Sequence, residues 1–177
     1  MDFRTNDGVM EIFRNLNCNG NSNCIFVTFK DTSIQGVKYG LAGGAVGAGL
    51  GGVIGGAMAA TSSFANGVLE GLEGSDGLLI NWTENGLGVV PLVSNGLQLT
   101  LNMDKMEPRP EGFVFIKNED IESIIVKNFS FINKKSQKVK IKLNSGKTFH
   151  LMARLTEKNI PYHEGNFTKF MSTYKKK

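Results

Sequence analysis

A chain of 177 residues makes one domain with an appendage, or two very small domains, and can enclose a core. Its 41% hydrophobic and 20% charged residues argue against wholesale disorder, a collagen-like chain and a polytopic membrane protein. Twenty Lys and Arg against sixteen Asp and Glu leave a net charge of +4, a mild bias toward anionic partners such as lipid headgroups or nucleic acid.

The first thirty residues carry Asp2, Arg4, Asp7, Glu11 and Arg14 and none of the apolar stretch of a signal peptide. The expected location is therefore the cytoplasm, with attachment to the inner face of the cell membrane as the extension of that reading. A short helix is predicted from Val9 to Leu16, followed by an Asn-rich loop whose side chains compete for backbone hydrogen bonds. Cys18 and Cys24 lie in and beside that loop with no second pair and no nearby His, so they read as reduced thiols, and neither a metal nor a cofactor is expected. Cys24–Phe29 is rich in β-branched and aromatic residues and predicts a strand. Asp31-Thr32-Ser33 then offers helix-capping side chains.

From Tyr39 to Leu69 no residue is charged, and thirteen of the 22 glycines fall between Gly36 and Gly74. Small residues recur every fourth position in two registers: Gly36, Gly40, Gly44, Ala48, Gly52, Gly56 and Ala60 in one, Gly43, Gly47, Gly51, Gly55 and Ala59 in the other. On a helix the two rows are adjacent and form one smooth face, a glycine zipper suited to a membrane or to close helix packing. Tyr39–Ala60 as a helix would reach roughly 33 Å, enough for a hydrocarbon core of roughly 30 Å. Its five Leu, Ile and Val residues supply little insertion energy, so a helical hairpin, an adsorbed helix and self-association through the zipper all remain open. No Gly-Lys-Ser/Thr follows these glycines, which excludes a Walker phosphate loop.

Beyond Gly74 short alternating runs are separated by turn residues at intervals of roughly 8–12, the pattern of a small antiparallel barrel or sandwich. Gly77–Thr83 and Leu87–Val93 flank Glu84-Asn85-Gly86. Leu97, Leu99 and Leu101 alternate with polar residues. A proline-containing loop, Met106 to Gly112, precedes strands at Phe113–Ile116 and Ile121–Lys127. The clearest hairpin sets Val139, Ile141 and Leu143 against Lys138, Lys140 and Lys142, turns at Asn144-Ser145-Gly146, and returns through Phe149, Leu151 and Ala153. Phe167, Phe170, Met171 and Tyr174 then mark an amphipathic helix from about His163.

The runs GLLINWTENGLGVVPL, KNEDIESIIVKN and KVKIKLNSGKTFHL, followed by NFTKFM, cover about a hundred residues, 76–174. In that order they resemble the bacterial pleckstrin-homology-like and GRAM-like domains. The resemblance implies an antiparallel barrel closed by a C-terminal helix that binds lipid, peptide or protein. In that family phosphoinositide recognition places basic residues on the loop between the first two strands. Thr83-Glu84-Asn85-Gly86, read as that loop, is short and acidic. The chain thus divides into an N-terminal segment with one strand (1–30), a glycine-zipper segment (31–74) and a domain (75–177).

Alternation alone places Lys138, Lys140 and Lys142 on one strand face, beside His150 and Arg154 of the neighbouring strand. Such a face is either plain solvated sheet or a contact for an anionic surface. It carries no interleaved aromatics, which speaks against nucleic acid. Trp82 is in phase with Leu78 and Ile80 and reads as core. His163 reads as a helix-terminal surface residue. With no nucleophile, metal set or carboxylate pair clustered, the function expected is a non-enzymatic binding module. It would associate with membrane or with itself through the glycine-rich helix; the alternative is a soluble scaffold whose glycine-rich helices pack on a protein partner.

Overall fold

The computed structural model describes residues 2–18, 21–29, 72, 74–94, 103–129 and 135–174. The zipper positions Gly36, Gly40, Gly43, Gly44, Gly47, Gly51, Gly52, Gly55 and Gly56, the capping residues Asp31–Ser33 and the alternation Leu97–Leu101 lie outside these residues. Among the described residues eight strands follow in chain order: β1 (Cys24–Phe29), β2 (Gly77–Trp82), β3 (Gly86–Ser94), β4 (Met106–Pro108), β5 (Val114–Lys117), β6 (Ile121–Asn128), β7 (Ser136–Leu143) and β8 (Thr148–Arg154). Helices α1 (Asn6–Asn15) and α2 (Tyr162–Tyr174) stand before and after them. The described residues are thus mainly β, with one helix before the strands and one after them. The proline-containing stretch expected as loop contributes β4, three residues that pair with the end of β3.

All strands join one antiparallel sheet in the order β4-β3-β2-β1-β8-β7-β6, with β5 also on β3. Strand pairing does not close this sheet into a barrel among the described residues. At the corner between β5 and β6 the chain ties turns together and adds no rung. The Asn118 N–H donates to the Asn85 carbonyl at 2.9 Å, and the Asn144 N–H to the Asp120 carbonyl at 2.9 Å. Asn118 Nδ2 donates to the Glu84 carbonyl and Asn144 Nδ2 to the Glu119 carbonyl, each at 2.6 Å.

β1 is central to this sheet. Its residues pair with β2 from Cys24↔Asn81 to Thr28↔Gly77, and its far end pairs with β8 through Thr28↔Met152 and Phe29↔Leu151. The strand that the sequence partition assigns to an N-terminal segment therefore joins the two halves of the sheet. One correction follows for the resemblance. The connection between the first two strands is residues 30–76, the glycine-rich stretch, whereas Thr83–Gly86 joins the second strand to the third.

The alternation sorts side chains onto two faces. Inward, Ile25, Val27, Leu78, Ile80, Trp82, Val89, Val126, Val139, Ile141, Phe149 and Leu151 form one core with Phe167 and Phe170 of α2. Trp82 meets Phe170 edge-on at 5.3 Å between centroids, in the core as predicted. Outward, Phe26, Leu79, Val90 and Leu92 make a second core with Val9, Ile12 and Phe13, the apolar stripe of α1. This second core explains why β2 and most of β3 are buried on both faces. Thr5 caps α1, its Oγ1 accepting from the Gly8 N–H at 3.1 Å. Arg4 clamps the start of α1 to the loop before β4, bonding the Met103 and Met106 carbonyls and Asp2. The β7–β8 hairpin forms as predicted, and Gly146 takes φ +84°, a region that favours glycine.

Candidate anionic-surface face

The register settles which side chains share the outer face of β6–β8. Lys138 lies opposite Met152 on β8 and Lys127 on β6; Lys140 lies opposite His150 and Ile125; Lys142 lies opposite Thr148 and Ser123. Arg154 stands at the end of the same face, opposite Ser136. The structure therefore brings together the residues the sequence singled out, Lys138, Lys140, Lys142 and Arg154, and adds Lys127. Lys127 was legible in principle, since it alternates with Val126 on the strand before the hairpin, but only the β6–β7 register puts it beside Lys138. Lys138 to Lys142 spans about 14 Å of strand, and three strands span about 10 Å.

Two contacts tune the face. Lys142 Nζ donates to Glu122 Oε1 at 2.6 Å, a pair left partly exposed. The register shift between Ile121 and Ser123 falls at Glu122. Lys138 Nζ sits 5.1 Å from the centre of the Phe129 ring. At the Arg154 end Glu157 is half-buried, and that burial raises its carboxyl above the ordinary value, with Arg154 opposing the shift.

The face continues into the covered half of the sheet. Gly77, Thr28, Met152, Lys138 and Lys127 occupy one row across β2, β1, β8, β7 and β6. The roots of the glycine-rich connection thus share a face and a row with the lysines. Thr28 is about 10 Å from Lys138, two strand spacings away.

His163 corrects the sequence reading. It is fully buried and wedged where β1 and β8 part. Continuing the β1–β8 register by two residues would set Phe26 opposite Arg154. Instead the imidazole bridges them, Nδ1 accepting from the Phe26 N–H at 3.0 Å and Nε2 meeting the Arg154 carbonyl at 2.8 Å. These roles require the neutral ring with its proton on Nε2, and burial lowers the pKa of His163. Asn166 Nδ2 donates to the Cys24 carbonyl on the same open stretch of β1. The sequence held a signal for this: His163, Phe167, Phe170 and Tyr174 recur at four, three and four, so His163 belongs to the apolar stripe.

Cys18 and Cys24 are buried thiols that form no disulfide. Asn81 lies between them, donating from Nδ2 to Cys24 Sγ at 2.9 Å and accepting at Oδ1 from Cys18 Sγ at 3.6 Å. Burial pushes the Cys24 thiol up to about 12, which keeps it protonated and unreactive. Among the described residues no cluster of His, Cys, Asp and Glu could hold a metal ion. A shallow depression of about 610 Å³ beside Asp2, Arg4 and Glu107 is lined by the Arg4 clamp, whose Nη2 donates to the Met103 and Met106 carbonyls and whose Nη1 donates to Asp2, while its buried Nε has no partner among the described residues. No helix among the described residues is long and apolar enough to cross a membrane.

No family model, curated protein or solved structure matches this chain.

Proposed function

We propose that this protein is a non-enzymatic, pleckstrin-homology-like binding module that docks the lysine face of β6–β8 onto an anionic lipid leaflet, with the glycine-rich connection as a second membrane contact. The fold reading is supported by the unbroken antiparallel order from β2 through β1 to β8 and by a C-terminal helix packed into the inner core. The surface reading rests on one observation: Lys127, Lys138, Lys140 and Lys142 share a face that no helix covers among the described residues, while the other half of that face lies under α1. Near an anionic leaflet each lysine contributes about 1 kcal/mol, falling off within a Debye length of about 8 Å.

Liposome flotation tests the proposal with full-length protein and a variant lacking Tyr39–Ala60, on phosphatidylglycerol-rich and on phosphatidylcholine vesicles, before and after a high-salt wash. Both proteins are expected to float with anionic vesicles, with salt stripping the deletion variant and leaving part of the full-length protein bound. Failure of both to float would end the membrane reading and leave protein partners as the object of search.

A further inference from the structure

We infer that Met10, Cys18 and Cys24 form a binding site for one soft monovalent cation, Cu(I), where α1, the loop after it and the start of β1 meet. The site lies in the covered half of the sheet and is independent of the lysine face.

The sulfurs come from three segments and meet around one side chain. Cys24 Sγ lies 3.6 Å from Met10 Sδ. Asn81 of β2 donates from Nδ2 to Cys24 Sγ at 2.9 Å, and Met10 Sδ is 4.0 Å from the same nitrogen. At the other end of the carboxamide, Oδ1 accepts from Cys18 Sγ at 3.6 Å. Gly88 of β3 makes room for that sulfur: a Cβ there would lie 2.5 Å from Cys18 Sγ, so the thiol fills the space a side chain would take. Cys18, Cys24 and Asn81 are buried and Met10 is half-buried, which makes the thioether the part of the cluster nearest solvent among the described residues.

Asn81 points to a ligand. Its carboxamide is fully buried, and among the described residues the partners of that side chain are all sulfur. Thiols and thioethers are weak hydrogen-bonding groups, so the metal-free cluster compensates the burial of a primary amide poorly. A thiolate is a far stronger acceptor, and an N–H aimed at a metal-bound ligand is the outer support such sites use. The spacing agrees. Three sulfurs each about 2.3 Å from one ion sit about 4 Å apart, and Met10 and Cys24 already stand at 3.6 Å. Burial keeps the metal-free Cys24 thiol protonated, its pKa pushed up to about 12, yet a cation bonded to sulfur displaces that proton to solvent. Cu(I) with one thiolate is neutral, which suits a buried site, and the Cys18 and Met10 sulfurs then serve as uncharged ligands. Thiolate together with thioether favours Cu(I). Zn(II) and harder cations find no imidazole or carboxylate set among the described residues.

Competition with bicinchoninate, a chromophoric Cu(I) chelator, tests this on the full chain, anaerobically and with a thiol-free reductant. The protein is expected to withdraw one Cu(I) per chain, to develop ultraviolet thiolate-to-Cu(I) absorption, and to gain in urea midpoint as Cu(I) is added. Zn(II), offered with a chromophoric chelator of its own, is expected to stay with that chelator. Cys18→Ser and Cys24→Ser are each expected to weaken Cu(I) binding at least about a hundredfold, and Met10→Leu at least about tenfold. Met10→Leu keeps the volume of a half-buried side chain, so its metal-free urea midpoint should match the wild type and separate ligation from folding. Cu(I) left wholly with bicinchoninate would overturn the site and return both thiols to core packing. Wild-type affinity in Met10→Leu would overturn the three-sulfur set, and equal uptake of Zn(II) would overturn the choice of cation.

Discussion

The outer face of the sheet is built in two ways. On β1–β3 it is apolar, with Phe26, Leu79, Val90 and Leu92 sealed beneath Val9, Ile12 and Phe13 of α1. On β6–β8 it alternates lysines with half-buried Ile125 and Met152 and carries no helix among the described residues. The inner face is continuous beneath both halves. The difference teaches that, among the described residues, the strands of the lysine half are held by the inner core and the ladder alone, with no second core on their outer side. The covered half by contrast cannot shed α1 without exposing a second core.

Substitutions sharpen that contrast. Phe13→Ala, in the covered half, is expected to cost about 3–5 kcal/mol, read as a lower urea midpoint, because a fully buried aromatic leaves a cavity between α1 and β3. A cost near zero would mean that α1 is a loose attachment. His163→Ala is expected to cost about 2–3 kcal/mol, since it strands the Phe26 N–H and the Arg154 carbonyl. Thr5→Ala removes the α1 cap and is expected to cost about 1 kcal/mol. Lys142→Ala breaks a partly exposed pair with Glu122 and is expected to shift stability by under about 1 kcal/mol. A larger loss there would show that the lysine half carries structural weight.

The seam between the halves adds a pH dependence. His163 has a folded pKa below 6.5 and is neutral in both the folded and unfolded chain above that value, so its contribution is intact at pH 7–8. As pH falls below about 6.5 the unfolded chain takes up the proton first, and stability drops until the folded ring titrates. Urea melts at descending pH should show this fall in the wild type and a shallower one in His163→Gln, which keeps a donor and an acceptor without the titration. Parallel curves would contradict the neutral, bridging imidazole.

Strands that alternate were legible from the sequence. Cys24–Phe29, the β7–β8 hairpin and the core phase of Trp82 follow from side-chain periodicity, a local property. So did three lysines and Arg154, because one hairpin turn fixes their register. What escaped was non-local. Nothing within residues 1–30 shows that β1 pairs with strands fifty and a hundred and twenty residues away, so from sequence Thr83–Gly86 reads as the loop between the first two strands. Asn81 between Cys18 and Cys24 likewise depends on α1 and two strands meeting. His163 escapes for a different reason: a polar residue at a helix start reads as a surface cap even where it completes an apolar stripe.

The central proposal is that the lysine-rich half of the sheet docks on lipid, and vesicle partitioning of a charge-neutralised protein tests it most directly. Lys127, Lys138, Lys140 and Lys142 would be replaced together by Gln, with the urea midpoint checked against the wild type. At about 1 kcal/mol for each lysine, less the share already spent on Glu122, binding to phosphatidylglycerol vesicles at low salt should weaken about a hundredfold with the fold unchanged. Partitioning equal to the wild type, from a protein of equal stability, would contradict the account and return these lysines to the role of a solvated sheet face.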